Sequence, residues 1–249
     1  MSVHSSSWVI RPTSRPQATK RLFCLPFAGG GASAYRQWAG ALGPEIEVCP
    51  IQLPGRENRL LEPAHDNYKA LLDALLPAMY PLLDKPYALY GHSMGALLAF
   101  ELARSLEGSS AHPGPQRIFL GAHRAAHLPL QRLPMADLSQ EDLLKKLNEY
   151  GGFTQEILNS PELLELILPA VRADIKLCDT YQFEQGRLLN CPIDALAGVM
   201  DKQTPPITMR PWELHTKGGI DFHNFDGGHF FLNTHTTQVL EIIRTKMLT

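Results

Sequence analysis

The sequence has few cysteines and no long apolar run. Its four cysteines, in 249 residues, form no C-x-x-C pair and no Cys/His cluster, which argues against both a zinc site and a disulfide framework. The thiols are expected to be reduced, as in an intracellular protein. No stretch approaches the roughly 18 apolar residues of a membrane span, and the run at 8–10 is too short for a signal-peptide core. We therefore expect a soluble cytoplasmic protein without a metal site.

An excess of either charge is also missing. The 23 basic and 25 acidic side chains give a pI near 6.5, so the overall charge does not favour binding to nucleic acid or to an anionic membrane. Acidic residues are absent before Glu45, and the serine-rich start has features of a transit peptide. Pro12 and Pro16 would break the amphipathic helix that such a peptide needs. We expect residues 1–19 to form a flexible tail.

The hydrophobic fraction of 44% allows a sizeable core, and the length fits one large domain with an insertion. Short apolar runs alternate with helical patterns over residues 20–249, which is typical of an α/β domain with a mostly parallel sheet and helices on both faces. The predicted strands cover 21–27, 47–53, 86–92, 116–122, 192–199 and 220–226. The predicted helices outside the insertion cover 33–42, 67–83, 95–107, 206–216 and 231–247.

Residues 128–190 interrupt this alternation, because they separate two strands by more than a normal crossover needs. Helical patterns at 139–150, 154–159 and 161–180 lie between glycines and prolines, which predicts a small helical subdomain inserted into the larger domain. We expect it to act as a lid, although a merely structural excursion would have the same pattern. In a lid, the packing of side chains such as Phe153, Ile157, Leu163 and Leu166 would set the length of a pocket.

The pattern G-x-S-x-G occurs at residues 91–95 (GHSMG), where an apolar strand turns into a helix with one apolar face. This context is typical of a nucleophile elbow. A nucleophile held in a tight, strained turn needs glycines two positions before it and two positions after it, because side chains there would clash. Ser93 would also lie at a helix N-terminus, where backbone amides and the helix dipole favour a developing oxyanion. The alternative is a glycine-rich turn with an inert serine.

A nucleophilic serine needs a base, and the base needs a carboxylate that orients it. In sheets of this type the order along the chain is Ser, then Asp or Glu, then His. Among the ten histidines, His229 follows the last predicted strand on a glycine-rich loop, and we predict it as the base. Asp201 directly follows a predicted strand, at the edge where sites of parallel sheets assemble, and is the predicted acid. Asp226, three residues before His229, is the competing candidate.

A second glycine cluster, at 29–31, follows the first predicted strand. It formally fits a G-x-G-x-x-A dinucleotide fingerprint, but the next strand ends without an acidic residue to hold a ribose, and there is no G-K-[ST] phosphate loop. We predict instead that the backbone N–H groups of Ala28 and Met94 form an oxyanion hole. Arg56, in the PGRE turn at 54–57, could contact the substrate or a partner, or it could anchor its own loop.

Four ordered motifs carry a resemblance to a known family: LPFAGG at 25–30, LPGRE at 53–57, GHSMG at 91–95 and GGHFF at 227–231. Over residues 20–247 the chain resembles the type II thioesterases that accompany modular polyketide and nonribosomal peptide synthetases. The resemblance implies an α/β-hydrolase fold with a helical lid, a triad of Ser93, Asp201 and His229, and an oxyanion hole from the amides of Ala28 and Met94. The segment DKQTPP at 201–206 departs from the family's usual continuation after the acid.

The resemblance further implies hydrolysis of acyl thioesters from the phosphopantetheine arm of acyl carrier and peptidyl carrier domains, which clears stalled or misprimed modules without any cofactor. Residues 218–222 (GGIDF) lack the serine that a phosphopantetheine attachment motif places after its Asp, so the protein is expected to act in trans. We also expect a monomer. Two alternatives stay open. One is a carboxylesterase or acyl-coenzyme A thioesterase on the same fold, because a triad does not distinguish oxygen from sulfur esters; the other is a non-catalytic binding module.

Overall fold

The computed structural model describes residues 7–109, 111–130, 132–152 and 155–249. Within these ranges the chain forms a six-stranded parallel sheet of order β2-β1-β3-β4-β5-β6. The strands are β1 (Lys20–Leu25), β2 (Ile46–Pro50), β3 (Tyr87–His92), β4 (Arg117–Gly121), β5 (Ile193–Gly198) and β6 (Ile220–Phe225). The helices are α1 (Trp38–Ala41), α2 (Tyr68–Met79), α3 (Met94–Glu107), α4 (Gln140–Glu149), α5 (Gln155–Leu158), α6 (Pro161–Asp179), α7 (Pro206–Met209), α8 (Phe231–Thr234) and α9 (Thr236–Leu248).

Successive side chains of the inner strands pack on opposite faces of the sheet. On β1, Phe23 and Leu25 join the core beneath α2 and α3, whereas Leu22 and Cys24 join the core beneath α1 and α9. Strands buried on both faces are continuous apolar runs, as expected for a parallel sheet covered by helices. The predicted α/β architecture is confirmed, with every predicted strand present. In the part of the chain that the structure describes, no helix combines the length and the apolar character needed to cross a bilayer.

Residues 7–19 differ from the flexible tail expected for this end of the chain. Val9 is buried and forms an antiparallel bridge with Ile51, while the Ile10 N–H donates to the Pro50 carbonyl (2.9 Å). The physical reason is that β2 is an edge strand, whose unpaired backbone groups gain partners when another segment covers them. Residues 1–6 of the expected tail lie outside the described residues.

The segment between β4 and β5 contains α4, α5 and α6, within the range 128–190 predicted to hold an inserted helical subdomain. Helix α6 begins after Ser160, whose side chain accepts the Leu163 N–H, and it has Pro161 in its first turn; both are standard features of a helix start. The helices of the insertion share a small apolar cluster of their own, built from Met135, Leu143, Leu164, Leu168, Val171 and Ile175.

The helix predicted over 33–42 is wrong as a single element. The structure has a 3₁₀ turn at Ala32–Tyr35 and then the short α1. The rings of Tyr35 and Trp38 pack edge to face with centroids 4.9 Å apart, and both are buried against the sheet. The packing of these two rings on the sheet favours two short turns over one continuous helix.

Candidate active site

Ser93 occupies a strained turn between β3 and α3. Its backbone has φ 55° and ψ −121°, a left-handed conformation that a non-glycine residue adopts only at an energetic cost. The N–H of Ser93 donates to the Gly121 carbonyl on the neighbouring strand (2.8 Å). A Cβ atom at Gly91 would lie 1.9 Å from the Gly95 carbonyl oxygen, and one at Gly95 would lie 2.2 Å from the Leu25 carbonyl oxygen. Both glycines are therefore required for the turn to form.

Three side chains from distant parts of the chain meet above this turn. The Oγ of Ser93 lies 3.0 Å from Nε2 of His229, and Nδ1 of His229 lies 2.8 Å from Oδ2 of Asp201. Asp201 and His229 are buried, with 3% and 9% of their surface exposed. The structure thus brings together the three residues predicted as nucleophile, base and acid, in hydrogen-bond order.

The loop after β5 holds the carboxylate of Asp201 in place. Its Oδ1 accepts the backbone N–H groups of Gln203 (2.8 Å) and Thr204 (3.1 Å), which leaves Oδ2 for the imidazole. Burial alone would raise the pKa of Asp201, but the hydrogen bond from His229 and the two backbone donors lower it below its ordinary value. Asp226, the competing candidate, is exposed. The histidine pairs with Asp201 rather than with Asp226.

His92, inside the elbow motif, supports the site in a way that the sequence reasoning missed. It is fully buried, and its Nε2 lies 2.8 Å from the backbone carbonyl of His229. Because a carbonyl only accepts, Nε2 carries the proton and donates. Burial, followed by the nearby charge of His229, lowers the pKa of His92 to about 3, so the ring is neutral. The available signal was its position in the motif, one residue before Ser93.

The two amides predicted as an oxyanion hole lie at the same cavity as Ser93. Residues 27–30 form a β-turn in which the Gly30 N–H donates to the Phe27 carbonyl (2.8 Å) and Gly29 has φ +77°. In a planar trans peptide the C=O and N–H point in opposite directions, so the Ala28 N–H points away from the interior of the turn. Met94 is the first residue of α3, where an amide has no partner within the helix. Neither amide donates to an acceptor among the described residues.

A small, mostly apolar cavity of about 80 Å³ lies over the Ser93 hydroxyl. A second, more polar cavity of about 270 Å³ shares Ser93 and His229 with it. The apolar cavity is lined on the sheet side by Phe27 and Phe230, and on the insertion side by Met135, Leu147, Tyr150, Val171, Ile175 and Cys178. Arg132 lines both cavities, and the polar cavity adds Arg124 and Lys202.

The insertion side chains that form the cavity wall are not those expected from the sequence. Leu163 and Leu166 are 41% and 50% exposed and do not line the cavity. Ile157 packs against the insertion's own apolar cluster, and Phe153 lies outside the described residues. The reason is the rotation of α6, which directs Val171 and Ile175 toward the cavity and its 163/166 face toward solvent.

Residues 20–247 match the Thioesterase domain family. The chain belongs to this family. It is 36% identical to the protein named linear gramicidin dehydrogenase LgrE of Brevibacillus parabrevis, over 98% of this chain and 94% of that protein. It is 34% identical to thioesterase PikA5 of Streptomyces venezuelae, over 100% of this chain and 88% of that protein. The solved structure of the type II thioesterase BorB, from the borrelidin biosynthetic cluster, superposes with a TM-score of 0.87 at 36% identity, over 99% of this chain and 98% of that one.

These relatives confirm the resemblance to type II thioesterases and the α/β-hydrolase fold. This member of the thioesterase family is accordingly a hydrolase that acts on thioesters. One of these relatives is named a dehydrogenase, but the glycine-rich loop at 29–31 of this chain is not followed by the acidic residue that a dinucleotide-binding site needs. The side chain of Gln52, at the end of the β2 segment, is buried and bonds the Ala32 N–H (2.9 Å) and the Arg56 carbonyl (3.1 Å). No acidic residue stands there to bind a ribose.

Proposed function

We propose that this thioesterase uses Ser93, His229 and Asp201 as a catalytic triad to hydrolyse acyl thioesters on the phosphopantetheine arm of carrier domains, in trans, in a polyketide or nonribosomal peptide pathway. The observation that carries the proposal is the continuous hydrogen-bond chain from Asp201 through His229 to Ser93, which ends at an apolar cavity. Such a chain is what activates a serine hydroxyl, which is otherwise a poor nucleophile.

The proposed reaction has two steps. Ser93 Oγ attacks the thioester carbonyl while His229 Nε2 takes its proton, and the amides of Ala28 and Met94 stabilise the oxyanion. Collapse of the tetrahedral intermediate breaks the C–S bond and leaves an acyl ester on Ser93, while the imidazolium of His229 gives its proton to the leaving pantetheine sulfur. The neutral His229 then takes a proton from water, which attacks the ester, and returns that proton to Ser93 Oγ as the carboxylic acid leaves. Asp201 holds the imidazole in the correct tautomer and stabilises the imidazolium without taking the proton itself.

The two cavities support a substrate with one apolar and one charged end. The apolar cavity would receive the acyl chain, because most of the side chains that line it are aromatic, aliphatic or sulfur-containing. The polar cavity, with Arg124, Arg132 and Lys202, suits an arm that ends in a phosphodiester. The names of relatives such as GrsT, a gramicidin S biosynthesis protein of Aneurinibacillus migulanus that is 34% identical over 96% of this chain, support the biosynthetic setting.

The test is hydrolysis of an acyl-loaded carrier domain by the wild type and by Ser93→Ala, followed by mass spectrometry of the carrier. We expect kcat to fall by about 10⁴–10⁶-fold in Ser93→Ala, because removing the nucleophile removes the covalent route. A fluorophosphonate probe should label the wild type and not the variant. Activity above a tenth of wild type in Ser93→Ala would exclude this mechanism.

The same assay distinguishes the carrier role from that of a general esterase. Acyl-carrier, acyl-coenzyme A and p-nitrophenyl esters of one acyl group are compared by kcat/KM. We expect the acyl-carrier substrate to be hydrolysed most efficiently, because only it offers both the arm and a protein surface. A p-nitrophenyl ester that reacts better than the carrier would instead assign the protein as a small-molecule esterase.

A further inference from the structure

A buried ion pair joins the insertion to the loop after β2. Asp174, on α6, is fully buried, and Arg56, in the LPGRE motif, is 6% exposed. The guanidinium bonds the carboxylate through two nitrogens, with Nη1 to Oδ2 at 2.5 Å and Nη2 to Oδ1 at 2.9 Å. Such a bidentate pair fixes both the distance and the relative orientation of the groups that carry it.

The same carboxylate also holds the turn at residues 27–30. Oδ2 of Asp174 accepts the Gly29 N–H at 2.7 Å, and Nη1 of Arg56 donates to the Gly30 carbonyl at 3.3 Å. The turn is therefore attached at two consecutive residues to one ion pair. Gly29 lies so close to α6 that a Cβ atom there would be 2.9 Å from the Val171 side chain.

This attachment matters because the turn presents the Ala28 amide to the cavity. An oxyanion donor contributes only if it stays within a few tenths of an ångström of its position, and a displacement of about 1 Å costs on the order of 10²-fold in rate. Nothing on β1 itself holds the outer side of the turn, since the strand ends at Leu25. The acceptor that fixes it belongs to the insertion.

We propose that Asp174, oriented by Arg56, is a positioning residue for the oxyanion turn, so that hydrolysis requires α6 to be packed against residues 53–57. The inference rests on the proposed function, because it assumes that the Ala28 amide binds the oxyanion. It also assigns Arg56, which the sequence left between substrate contact and loop anchoring, to holding the turn and the insertion together.

The test compares two double variants that both remove the buried charges. Arg56→Met with Asp174→Asn keeps an amide oxygen for the Gly29 N–H, whereas Arg56→Met with Asp174→Leu keeps the shape and removes the acceptor. Single variants that neutralise only Arg56 or only Asp174 are avoided, because they would leave an unpaired buried charge. We expect the Leu double variant to have a kcat about 10- to 100-fold below that of the Asn double variant, with KM within about threefold, because one misplaced donor weakens transition-state binding selectively.

A second readout reports the oxyanion hole directly. Affinity for an acyl trifluoromethyl ketone, which adds to Ser93 and places an oxyanion in the hole, should fall by the same factor as kcat. Lys176→Met is the matched control on the same helix, because the Lys176–Asp66 ion pair is exposed and the bonds that hold the turn come from Asp174 and Arg56 instead; its kcat should equal that of the wild type. Circular dichroism and thermal unfolding establish that each variant is folded.

Equal kcat and equal ketone affinity in the two double variants, both folded, would overturn the inference. Asp174→Glu provides an independent test if the Leu variant does not fold. It keeps the charge pair but displaces the carboxylate from Gly29, and an unchanged kcat would again contradict the proposal. The outcome is separable from the proposed function: an active Ser93→Ala refutes the triad, whereas an inactive Ser93→Ala with equal double variants refutes only the role of Asp174.

Discussion

The sheet domain and the inserted helices meet at one cavity, yet they contribute to it by different physical means. The sheet domain fixes Ser93, His229 and Asp201 on a core that is apolar on both faces of the sheet. The insertion has a small apolar cluster of its own and is attached to the sheet domain partly by ion pairs, such as the buried Arg56–Asp174 and the exposed Lys176–Asp66. The comparison teaches that Ser93, His229 and Asp201 stand on a large packed core, whereas the insertion is attached to the turn at residues 27–30 by polar contacts.

After Ser93→Ala, the largest effect should come from the acid of the proposed triad, which lies wholly on the sheet side. We expect Asp201→Asn to lower kcat by about 10⁴-fold, because the amide stabilises the wrong imidazole tautomer. Asp226→Asn is the matched control, since that carboxyl is exposed, and its kcat should not change. Kinetics on an acyl-carrier substrate measure both. A comparable loss of kcat in Asp226→Asn would contradict the assignment of Asp201 as the acid that pairs with His229.

Glycines in the two regions should differ sharply in their tolerance of a methyl group. Gly95→Ala places a Cβ atom 2.2 Å from the Leu25 carbonyl oxygen, and this backbone cannot yield; we expect a loss of about 4 kcal/mol or more in the free energy of unfolding. Gly151, in the insertion, has φ +73° but open space around it, so Gly151→Ala should cost only about 1–2 kcal/mol of backbone strain. Denaturant unfolding of both variants checks this ranking, and a reversed order would refute it.

Truncation of a buried leucine should act globally in one region and locally in the other. Leu97, on α3, and Leu168, on α6, are 1% and 5% exposed, and Leu→Ala at such sites costs about 3 kcal/mol. We expect Leu97→Ala to lower the unfolding midpoint of the whole chain. Leu168→Ala should mainly speed hydrogen exchange in α4 and α6, because that cluster is small and separate. Faster exchange throughout the sheet in Leu168→Ala would show that the two regions unfold as one unit.

Mild acid should destabilise the sheet side. Burial lowers the pKa of His92 and of His123 to about 3, from an ordinary value of 6.5. Between these values the unfolded chain binds more protons than the folded one, so this stability is complete above pH 6.5 and is lost as the pH falls toward 3. Each histidine contributes a slope of up to about 1.4 kcal/mol per pH unit.

The insertion has no histidine between residues 128 and 190, so this pH effect belongs to the sheet domain. Urea unfolding at pH 5, 6 and 7 measures how steeply the free energy of unfolding changes with pH. His123→Gln should reduce this slope by the contribution of one histidine. Stability that rises on acidification over this range would contradict the assignment.

The fold was predictable because buried parallel strands are continuous apolar runs, and the three residues of the proposed triad follow strand ends in the order that such sheets impose. Ser93 was identified from its glycine neighbours, which only a tight turn needs. Asp201 and His229 could be assigned because few carboxyls and imidazoles follow a strand so directly. These signals are local, and each lies within a few residues of the group that it identifies.

The contacts that the sequence did not reveal are long-range. Asp174 and Arg56 are separated by 118 residues, and no spacing rule connects a carboxylate on a helix to a guanidinium in a loop. The role of His92 depends on the backbone carbonyl of His229, which no side-chain pattern reports. The cavity wall could not be placed from the sequence, because the rotation of α6 is set by its packing on the sheet domain rather than by its own periodicity.

The strand-like segment at Trp8 to Ile10 has a practical consequence for anyone who trims or tags this protein. The Trp8 ring lies 4.1 Å from the Arg59 guanidinium, so the segment also braces the loop that carries Arg56. A version that starts at residue 20 would leave the outer edge of β2 bare, and bare edges recruit strands from other molecules. Such a shortened version would be prone to self-association and precipitation during purification.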